Sequence, residues 1–450
     1  MLPTIQHLRS ILQNVIAQRY KQGYDTAGLQ NELRKLPESY DALAAFAEKL
    51  ESLPRRNDFG YEQPETLAEI FAACPPNFTR QRIGRRLSGA EAAARARSAF
   101  LGAVAGCILG KPVECDPTLE ELRKALESTG DWPLRDYFSL RTLDALGRRH
   151  DSAATCCRET IRYVELDDDM NYIVTGLRML ELHGLDFTRC HLAKYWLENL
   201  PLYCTFGPER KFLLDAGLNW NWSPDAPVNE ETIDRMRRRW VANDEACGAA
   251  IRVDSYGYAC PGLPALAAEL AWRDASLTHR FTGVYASMYI AAAVAAAPVL
   301  DDPMAIFEYA ISCVPQQSYF AEVMRDAFDL VGKAADFLEG YAGIHAKYGE
   351  YRHCALYQEC ALLINTAKFA RNTEEAICMQ VSQGCDTDCF GKIAGSIMGG
   401  FFGPGSLPER WIAVFNDDFR VCPPEFTERS LSKVADRIAA LPALTLDLPC

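Results

Sequence analysis

Two groups of aspartates in this sequence have the residue types and spacing of metal ligands. Asp386 and Asp388 stand one residue apart in the segment GCDTDCFGKIAGSIMGGFFG, and Asp167, Asp168 and Asp169 stand side by side before the segment MNYIVTGLRMLELHG. Three adjacent carboxylates repel one another, so holding all of them ionised in one turn requires a cation or full solvent exposure. Helix capping is the alternative for both groups, because an acid at a helix start accepts backbone N–H groups and suits the helix dipole.

Glycines recur at every fourth position in two segments that adjoin acidic residues. They are Gly391, Gly395, Gly399 and Gly403 after the later aspartates, and Gly102, Gly106 and Gly110 in the upstream segment LGAVAGCILGKPVE. A spacing of four places these glycines on one side of a helix. Each glycine makes the helix about 1 kcal/mol less stable than an alanine would. A second backbone packed very close would offset this cost. We therefore predict two helices that meet along their glycines and bring Glu114, just beyond the Lys-Pro stop of the first helix, towards Asp386 and Asp388.

The composition predicts a large acidic protein that binds neither nucleic acid nor membranes. The chain has 450 residues, 49% of them hydrophobic, and a net charge of −13, so it can bury a large core but has no basic field for polyanions. The longest apolar stretch, residues 287–300, is too short to span a bilayer. Seventeen cysteines without CxxC spacing, and no signal peptide or HExxH pair, predict free thiols in the cytoplasm and no zinc motif.

Helical periodicity runs through the chain, and there is little sign of β-structure, so we predict an all-α fold. Residues 1–90 are expected to form an N-terminal helical extension of unknown role, with helices at 7–20 and 40–53 and no gathered polar groups that could form a site. Residues 91–450 are expected to form the main domain, which contains both groups of aspartates. Within it, residues 116–150 are charged and irregular and are interpreted as a cover, and Trp220 and Trp222 are assigned to core or lid packing.

These segments, in this order, resemble the ADP-ribosylglycohydrolase family, which includes the glycohydrolase that reactivates dinitrogenase reductase. The resemblance runs from about residue 94 to about residue 411 and rests on GAVAGCILGKPVE, the DDD before a helix, GAAIRVD followed by LTH, and GCDTDCFGKIAGSIMGGFFG, the most specific segment. It implies a compact orthogonal multi-helix domain that holds two Mg²⁺ ions, with Mn²⁺ as a possible substitute. The implied ligands are Asp386 and Asp388 from a late helix and a pair drawn from Asp167, Asp168 and Asp169 of an earlier one.

The resemblance also implies roles for single residues. Glu114 matches the family's loop acid that faces the substrate, and we expect Glu114 and Asp168 to be catalytic. His279 and Gly248 match residues that contact the ADP-ribose. Two positions depart from the family pattern, in which a threonine precedes the early aspartate pair and another follows the late DxD. Leu166 or Asp167 stands at the first position and Cys389 at the second. We count Cys389 with the ligands, but a thiol is a poor magnesium ligand, so one metal would be held more weakly or differently.

The leading hypothesis is a magnesium-dependent hydrolase that removes ADP-ribose, or a related ribosyl group, from a protein side chain or a small molecule. A carboxylate site selects hard cations over zinc, and such ions orient a diol or diphosphate and lower the pKa of a bound water while Glu114 handles the proton. One alternative is a family member that binds ADP-ribose or a nucleotide without turnover. Another is a structural helical protein whose acids are caps.

Overall fold

The computed structural model describes residues 3–219 and 229–448, and this part of the chain contains α-helices, short 3₁₀ helices and isolated β-bridges but no β-strand. The prediction of an all-α fold is therefore confirmed. Trp220 and Trp222, assigned from the sequence to core or lid packing, lie outside the described residues.

The α-helices follow one another along the chain with short connections. The N-terminal part contains α1 (Ile5–Lys21), α2 (Leu29–Lys35), α3 (Tyr40–Glu51) and α4 (Leu67–Ala72). The next part contains α5 (Gly89–Gly110), α6 (Leu119–Thr129), α7 (Leu140–Leu146), α8 (Ala153–Cys156), α9 (Asp168–His183), α10 (Arg189–Asn199), α11 (Gly207–Asn219) and α12 (Glu230–Arg238). The following part contains α13 (Asp254–Ala259), α14 (Pro264–Ala275), α15 (Phe281–Ala296), α16 (Pro303–Ser312), α17 (Tyr319–Lys333) and α18 (Phe337–Tyr348). The last part contains α19 (Tyr357–Phe369), α20 (Thr373–Ser382), α21 (Thr387–Phe402), α22 (Arg410–Ala413) and α23 (Leu431–Ala440).

Helices α5 and α21 pack against each other at the centre of the molecule, along the two rows of glycines. A Cβ atom added at Gly391 would lie 2.6 Å from the carbonyl oxygen of Gly106, and one added at Gly102 would lie 2.5 Å from that of Gly395. Separations under 3.0 Å are essentially never seen for real Cβ atoms, so the two backbones are in direct contact. The prediction of two helices meeting along their glycines is confirmed.

This packing places acidic residues of distant sequence at neighbouring helix ends. Helix α5 continues into the 3₁₀ turn Lys111–Val113, and Glu114 follows directly. Helix α21 begins beside that turn, where the Thr387 hydroxyl donates to the carbonyl oxygen of Gly110 at 2.8 Å. Helix α9 brings its own N-terminal aspartates to the same region.

The N-terminal extension has a small core of its own. Helices α1 to α3 bury a hydrophobic cluster that includes Leu12, Leu33 and Phe46, separate from the main core. Ile70 of α4 and Ile83, by contrast, belong to the main core. The domain boundary at residue 90 stays a prediction, but the separately packed part is confined to the first three helices.

Two expectations from the sequence are wrong. Residues 116–150 are not irregular, because they contain α6 and α7, and α6 starts with a capping box of Thr118 and Glu121. The cysteines are not all free, because Cys204 and Cys422 form a disulfide.

The apolar stretch at residues 287–300 belongs to a longer helix than its length suggests. Together with the turn that follows α15, it forms a helical segment from Phe281 to Val299 that is long and apolar enough to cross a membrane, as is Gly89–Val113. The apolar window of the first segment is 100% buried inside the protein, so α15 is packed as a core helix.

Candidate functional site

A large cavity lies where the acidic helix ends meet. It has a volume of about 890 Å³, and its lining includes Glu114, Asp168 and Asp386 together with residues of the segment Cys247–Arg252. This volume is in the upper range for small-molecule sites. A separate pocket of about 350 Å³ lies near residues 197–202. Among the described residues that line it, Glu198 is the ionisable one.

The structure brings the two aspartate groups together. Carboxylate oxygens of Glu114, Asp386 and Asp388 lie within 4.8 Å of one another, and ligand atoms of Asp169, Asp388 and Cys389 do so as well. Asp388 therefore belongs to both groups, although it is more than two hundred positions from Asp169 in the sequence. Sharing one cation or a pair of adjacent cations requires such distances.

The three adjacent aspartates have three different surroundings. Asp167 is the N-cap of α9, accepts the backbone N–H of Asp169 at 2.8 Å, and forms a buried ion pair with Lys111. Burial opposes ionisation of Asp167, but the Lys111 ammonium outweighs it and lowers the pKa. Asp168 lines the cavity, where burial and the charge of Asp167 raise its pKa well above the usual value. Capping thus accounts for Asp167 but leaves Asp168 free to act in the cavity.

Asp169 faces a second buried lysine, Lys392 of α21. The Lys392 ammonium donates to the carbonyl oxygen of Ile251 and to Asp254, both at 2.6 Å, and lies 3.2 Å from Asp169. Burial raises the pKa of Asp169 well above its usual value despite this lysine. Sequence reasoning missed both Lys111 and Lys392. Lys392 could have been recognised as a site residue, because it is a lysine within an otherwise apolar, glycine-rich helix.

Several carboxylate oxygens of the site have no hydrogen-bond donor among the described residues. These are Oδ1 of Asp386, Oδ1 of Asp388 and both oxygens of Asp169. Oδ1 of Asp169 forms an ion pair with Lys392 at 3.2 Å but accepts no hydrogen bond from it. Asp386 stands at the N-cap position of α21, yet its side chain makes no capping hydrogen bond within the described chain. Buried carboxylates without donors are costly unless a cation satisfies them. Capping therefore does not account for Asp386.

Glu114 is half-buried beside these groups, and burial, followed by the charges of Asp386 and Asp167, raises its pKa to about 7. Burial and the neighbouring Glu114 likewise raise the pKa of Asp388 well above its usual value. Both shifts have the same cause, which is an excess of negative charge in a low-dielectric site. Such a site favours either protons or a bound cation.

The donor atoms fit a hard cation at one position better than at the other. Glu114, Asp386 and Asp388 offer oxygen atoms alone, as Mg²⁺ and Mn²⁺ prefer. The second group offers a thiol from Cys389, and the ammonium of Lys392 is already next to Asp169. The first group therefore offers only oxygen donors and the second includes a sulfur, and the metal ligands named from the sequence stay predictions.

Three cysteines come together next to Asp386. Ligand atoms of Cys247, Cys389 and Asp386 lie within 4.8 Å of one another, and the sulfur of Cys354 is 3.5 Å from Oδ2 of Asp386. Hydrogen bonds from Cys354 and then from Cys389 lower the pKa of the Cys247 thiol to about 6. Of these cysteines the sequence singled out Cys389, because Cys247 and Cys354 belong to no motif.

The two residues expected to contact ADP-ribose differ in position. Gly248 lines the cavity, and a Cβ atom there would lie 2.6 Å from a carboxylate oxygen of Glu209. His279 is fully buried and is not part of the described lining; its Nδ1 is 2.8 Å from the Thr278 hydroxyl and 3.5 Å from Glu209. Burial and the nearby Arg252 lower the pKa of His279 well below its usual value. The structure therefore places His279 next to Glu209, behind the described lining of the cavity, and its contact with ADP-ribose stays a prediction.

The N-terminal extension forms part of the cavity wall. Gln18 and Lys21 of α1 line the cavity, and Gln18 donates to Glu245 at 2.8 Å. Glu245 also lines the cavity, and burial and the charge of Asp244 raise its pKa to about 7. The extension is held in place by Arg19, which forms a buried ion pair with Asp244. Residues 1–90, in which no gathered polar groups were expected, therefore contribute two polar side chains to the cavity wall.

Comparison with known proteins identifies the family of this protein. The sequence model described as ADP-ribosylglycohydrolase matches residues 88–445, which is most of the chain. The protein belongs to the ADP-ribosylglycohydrolase family. Among solved structures, one described as an "ADP-ribosylglycohydrolase-related protein complex" is 17% identical over 79% of this chain and 99% of its own, with a TM-score of 0.44. No curated protein sequence matches the chain.

Proposed function

We propose that this protein is a magnesium-dependent hydrolase that cleaves a glycosidic bond to ADP-ribose or to a related ribosyl group. Membership of the ADP-ribosylglycohydrolase family supports a glycohydrolase acting on ADP-ribosyl-type groups. The observation that carries the proposal is the group of Glu114, Asp386 and Asp388, whose carboxylate oxygens lie within 4.8 Å of one another beside a cavity of about 890 Å³.

This group would hold the cation. Its donors are all oxygen atoms, and Oδ1 of Asp386 and of Asp388 has no donor among the described residues. When bound, Mg²⁺ or Mn²⁺ would hold ribose hydroxyl or diphosphate oxygens and draw electron density from them. The second ion of the expected pair remains a prediction from the family resemblance, because its donors include Cys389.

The protein's own carboxylates would carry out the proton transfers and stabilise charge. Glu114 is half-buried and reaches the cavity, so it is placed to give a proton to the leaving group or to take one from the attacking water. Cleavage of a ribosyl bond passes through a state in which the ribose carries positive charge. Asp168 and Asp386, which also line the cavity, would stabilise that charge through their fixed positions.

An aromatic part of the cavity lining suits the nucleotide part of the substrate. Tyr319, Tyr351 and Tyr357 form it, with the ring centre of Tyr357 5.0 Å from that of Tyr319 and 4.7 Å from that of Tyr351. These rings offer an apolar surface with hydroxyl groups at its edge, which suits a purine nucleoside. Lys21 adds an ammonium group that would attract the diphosphate.

A second candidate function is binding of ADP-ribose without turnover. One observation favours it, namely that the Cys389 thiol and the Lys392 ammonium occupy the surroundings of Asp169. Hydrolysis is preferred because Glu114, Asp386 and Asp388 form a group of oxygen donors that includes neither Cys389 nor Lys392.

The test is release of ADP-ribose, measured by chromatography, from ADP-ribosylated proteins and small-molecule conjugates. Turnover is expected with Mg²⁺ and is expected to be lost with EDTA and in Asp388→Ala. The matched control is Asp144→Ala, an aspartate whose side chain is 66% exposed, which is expected to keep full activity. Activity that survives both EDTA and Asp388→Ala would reject the proposal. Uptake of ADP-ribose in calorimetry without any turnover would support the second candidate.

A further inference from the structure

Cys247, Cys354 and Cys389 are unusual among the cysteines of this protein because all three line the cavity. They come from three distant parts of the chain: the segment Cys247–Arg252, the loop before α19 and the first turn of α21. Buried structural cysteines normally sit among apolar side chains and behave as small hydrophobic residues. These three face an open cavity and a carboxylate instead.

The distances among these groups match those of a metal-binding cluster. Ligand atoms of Cys247, Cys389 and Asp386 lie within 4.8 Å of one another. The Cys354 sulfur lies 3.5 Å from Oδ2 of the same aspartate. Zn–S bonds of about 2.3 Å in tetrahedral geometry place the sulfurs of a zinc site about 4 Å apart. Small side-chain rotations would therefore bring all four groups to one ion.

A second observation, independent of the cysteines, points to a ligand at the same place. Asp386 is 1% exposed, and its Oδ1 has no hydrogen-bond donor among the described residues. Its other oxygen is contacted by the weak thiol donor of Cys354. A buried carboxylate in this state lacks a strong partner, and a cation between it and the thiols would supply one.

We propose that Cys247, Cys354, Cys389 and a carboxylate oxygen of Asp386 form a binding site for a thiophilic divalent cation such as Zn²⁺. Three sulfur ligands and one oxygen ligand make a tetrahedral set that selects zinc or cadmium over magnesium. Each thiol that binds the metal gives up its proton to solvent, so binding of one ion releases up to three protons.

The thiol site and the carboxylate site share Asp386, so they compete. An ion bound by the three cysteines takes one of the oxygens that Glu114, Asp386 and Asp388 would offer to Mg²⁺. Zinc is therefore expected to weaken magnesium binding, and magnesium is expected to leave the cysteines free. The thiol site itself does not depend on the proposed hydrolysis, because its ligands can be followed spectroscopically without substrate.

The test is titration of the reduced full-length protein with Cd²⁺ and with Co²⁺. One equivalent of Cd²⁺ is expected to produce the ultraviolet thiolate-to-metal charge-transfer band, and Co²⁺ the intense visible bands of tetrahedral coordination. Cys247→Ser and Cys389→Ser are expected to lose both signals, whereas Cys190→Ser, a half-buried cysteine beside Glu230, is expected to keep them. Loss of an outer-shell partner already lowers metal affinity about 10–100-fold, so loss of a thiolate ligand should lower it further.

A measurement on the unaltered protein covers the case in which a variant does not fold. Zinc is expected to protect Cys247, Cys354 and Cys389 from alkylation, as mapped by mass spectrometry, and to leave Cys190 reactive. Cadmium binding without a thiolate band, equal bands in Cys190→Ser and Cys247→Ser, or equal alkylation of the three cysteines with and without zinc would each overturn the proposal.

Discussion

Replacing Gly391 by alanine tests whether the contact between α5 and α21 positions the site. The new Cβ atom would lie 2.6 Å from the carbonyl oxygen of Gly106 and 2.8 Å from a methyl group of Val381, where ordinary contacts begin at 3.4 Å. The helices must therefore separate by several tenths of an ångström. Because Asp388 is one turn from Gly391 and Glu114 follows α5, this movement also changes the geometry of the carboxylate group.

The matched control is Gly400→Ala in the same helix. A Cβ atom at Gly400 would have its nearest neighbour at 3.7 Å, which is an ordinary contact. Both substitutions gain about 1 kcal/mol of helix propensity. Overpacking a core costs about 1–3 kcal/mol, and this cost applies to Gly391→Ala and not to Gly400→Ala. The difference in unfolding free energy between the two variants is therefore expected to be about 1–3 kcal/mol in favour of Gly400→Ala.

The assay is urea denaturation followed by tryptophan fluorescence, with calorimetric titration of Mn²⁺ into each folded variant. Gly391→Ala is expected to unfold at lower urea concentration and to bind Mn²⁺ more weakly than Gly400→Ala. Equal stability of the two variants, or a more stable Gly391→Ala, would refute the close contact on which the account of the site depends.

Three further predictions concern single charged residues. Burial opposes ionisation of Glu65, but its ion pair with Arg280 has the larger effect and lowers the pKa from 4.5 to about 2. The ionised carboxylate therefore contributes about 3 kcal/mol to the free energy of unfolding above pH 4.5, and this contribution is lost as the pH falls to 2. Acid unfolding should show this loss in the native protein and not in Glu65→Gln. Glu114→Gln is expected to lower kcat about 10²–10⁴-fold while ADP-ribose still binds in calorimetry, and an unchanged kcat would exclude Glu114 as the acid or base. Lys21→Ala is expected to raise KM about fivefold at constant kcat, since an exposed ion pair contributes at most about 1 kcal/mol, while the exposed Lys35→Ala changes neither.

Local patterns in the sequence were sufficient to predict the central helices and the acidic residues at their ends. The fourfold glycine spacing predicts close packing of α5 and α21, because a helix that carries several glycines needs a compensating contact. The adjacent aspartates predict the start of α9 because acids are favoured at helix N-termini. Residues 116–150 were misjudged although a signal was present, since Thr118 and Glu121 form a capping box ahead of apolar positions at helical spacing.

Other parts of the site leave no local pattern. Cys247 and Cys354 are more than a hundred positions apart, and tertiary packing alone brings them to Asp386. The partner of Asp167 is Lys111, whose position after a glycine row indicates a helix end but not a buried ion pair. The contribution of α1 to the cavity depends on the buried pair of Arg19 with Asp244, and neither residue stands in a motif.

The most direct test of the central claim is the position of Mn²⁺ in a crystal of the protein soaked with Mn²⁺ and ADP-ribose, located by anomalous scattering. The account predicts a peak in contact with carboxylate oxygens of Glu114, Asp386 and Asp388, with metal–oxygen distances of about 2.0–2.6 Å, as is usual for hard divalent cations. Peaks confined to other parts of the protein, or ADP-ribose bound outside the cavity lined by Glu114 and Asp168, would contradict it.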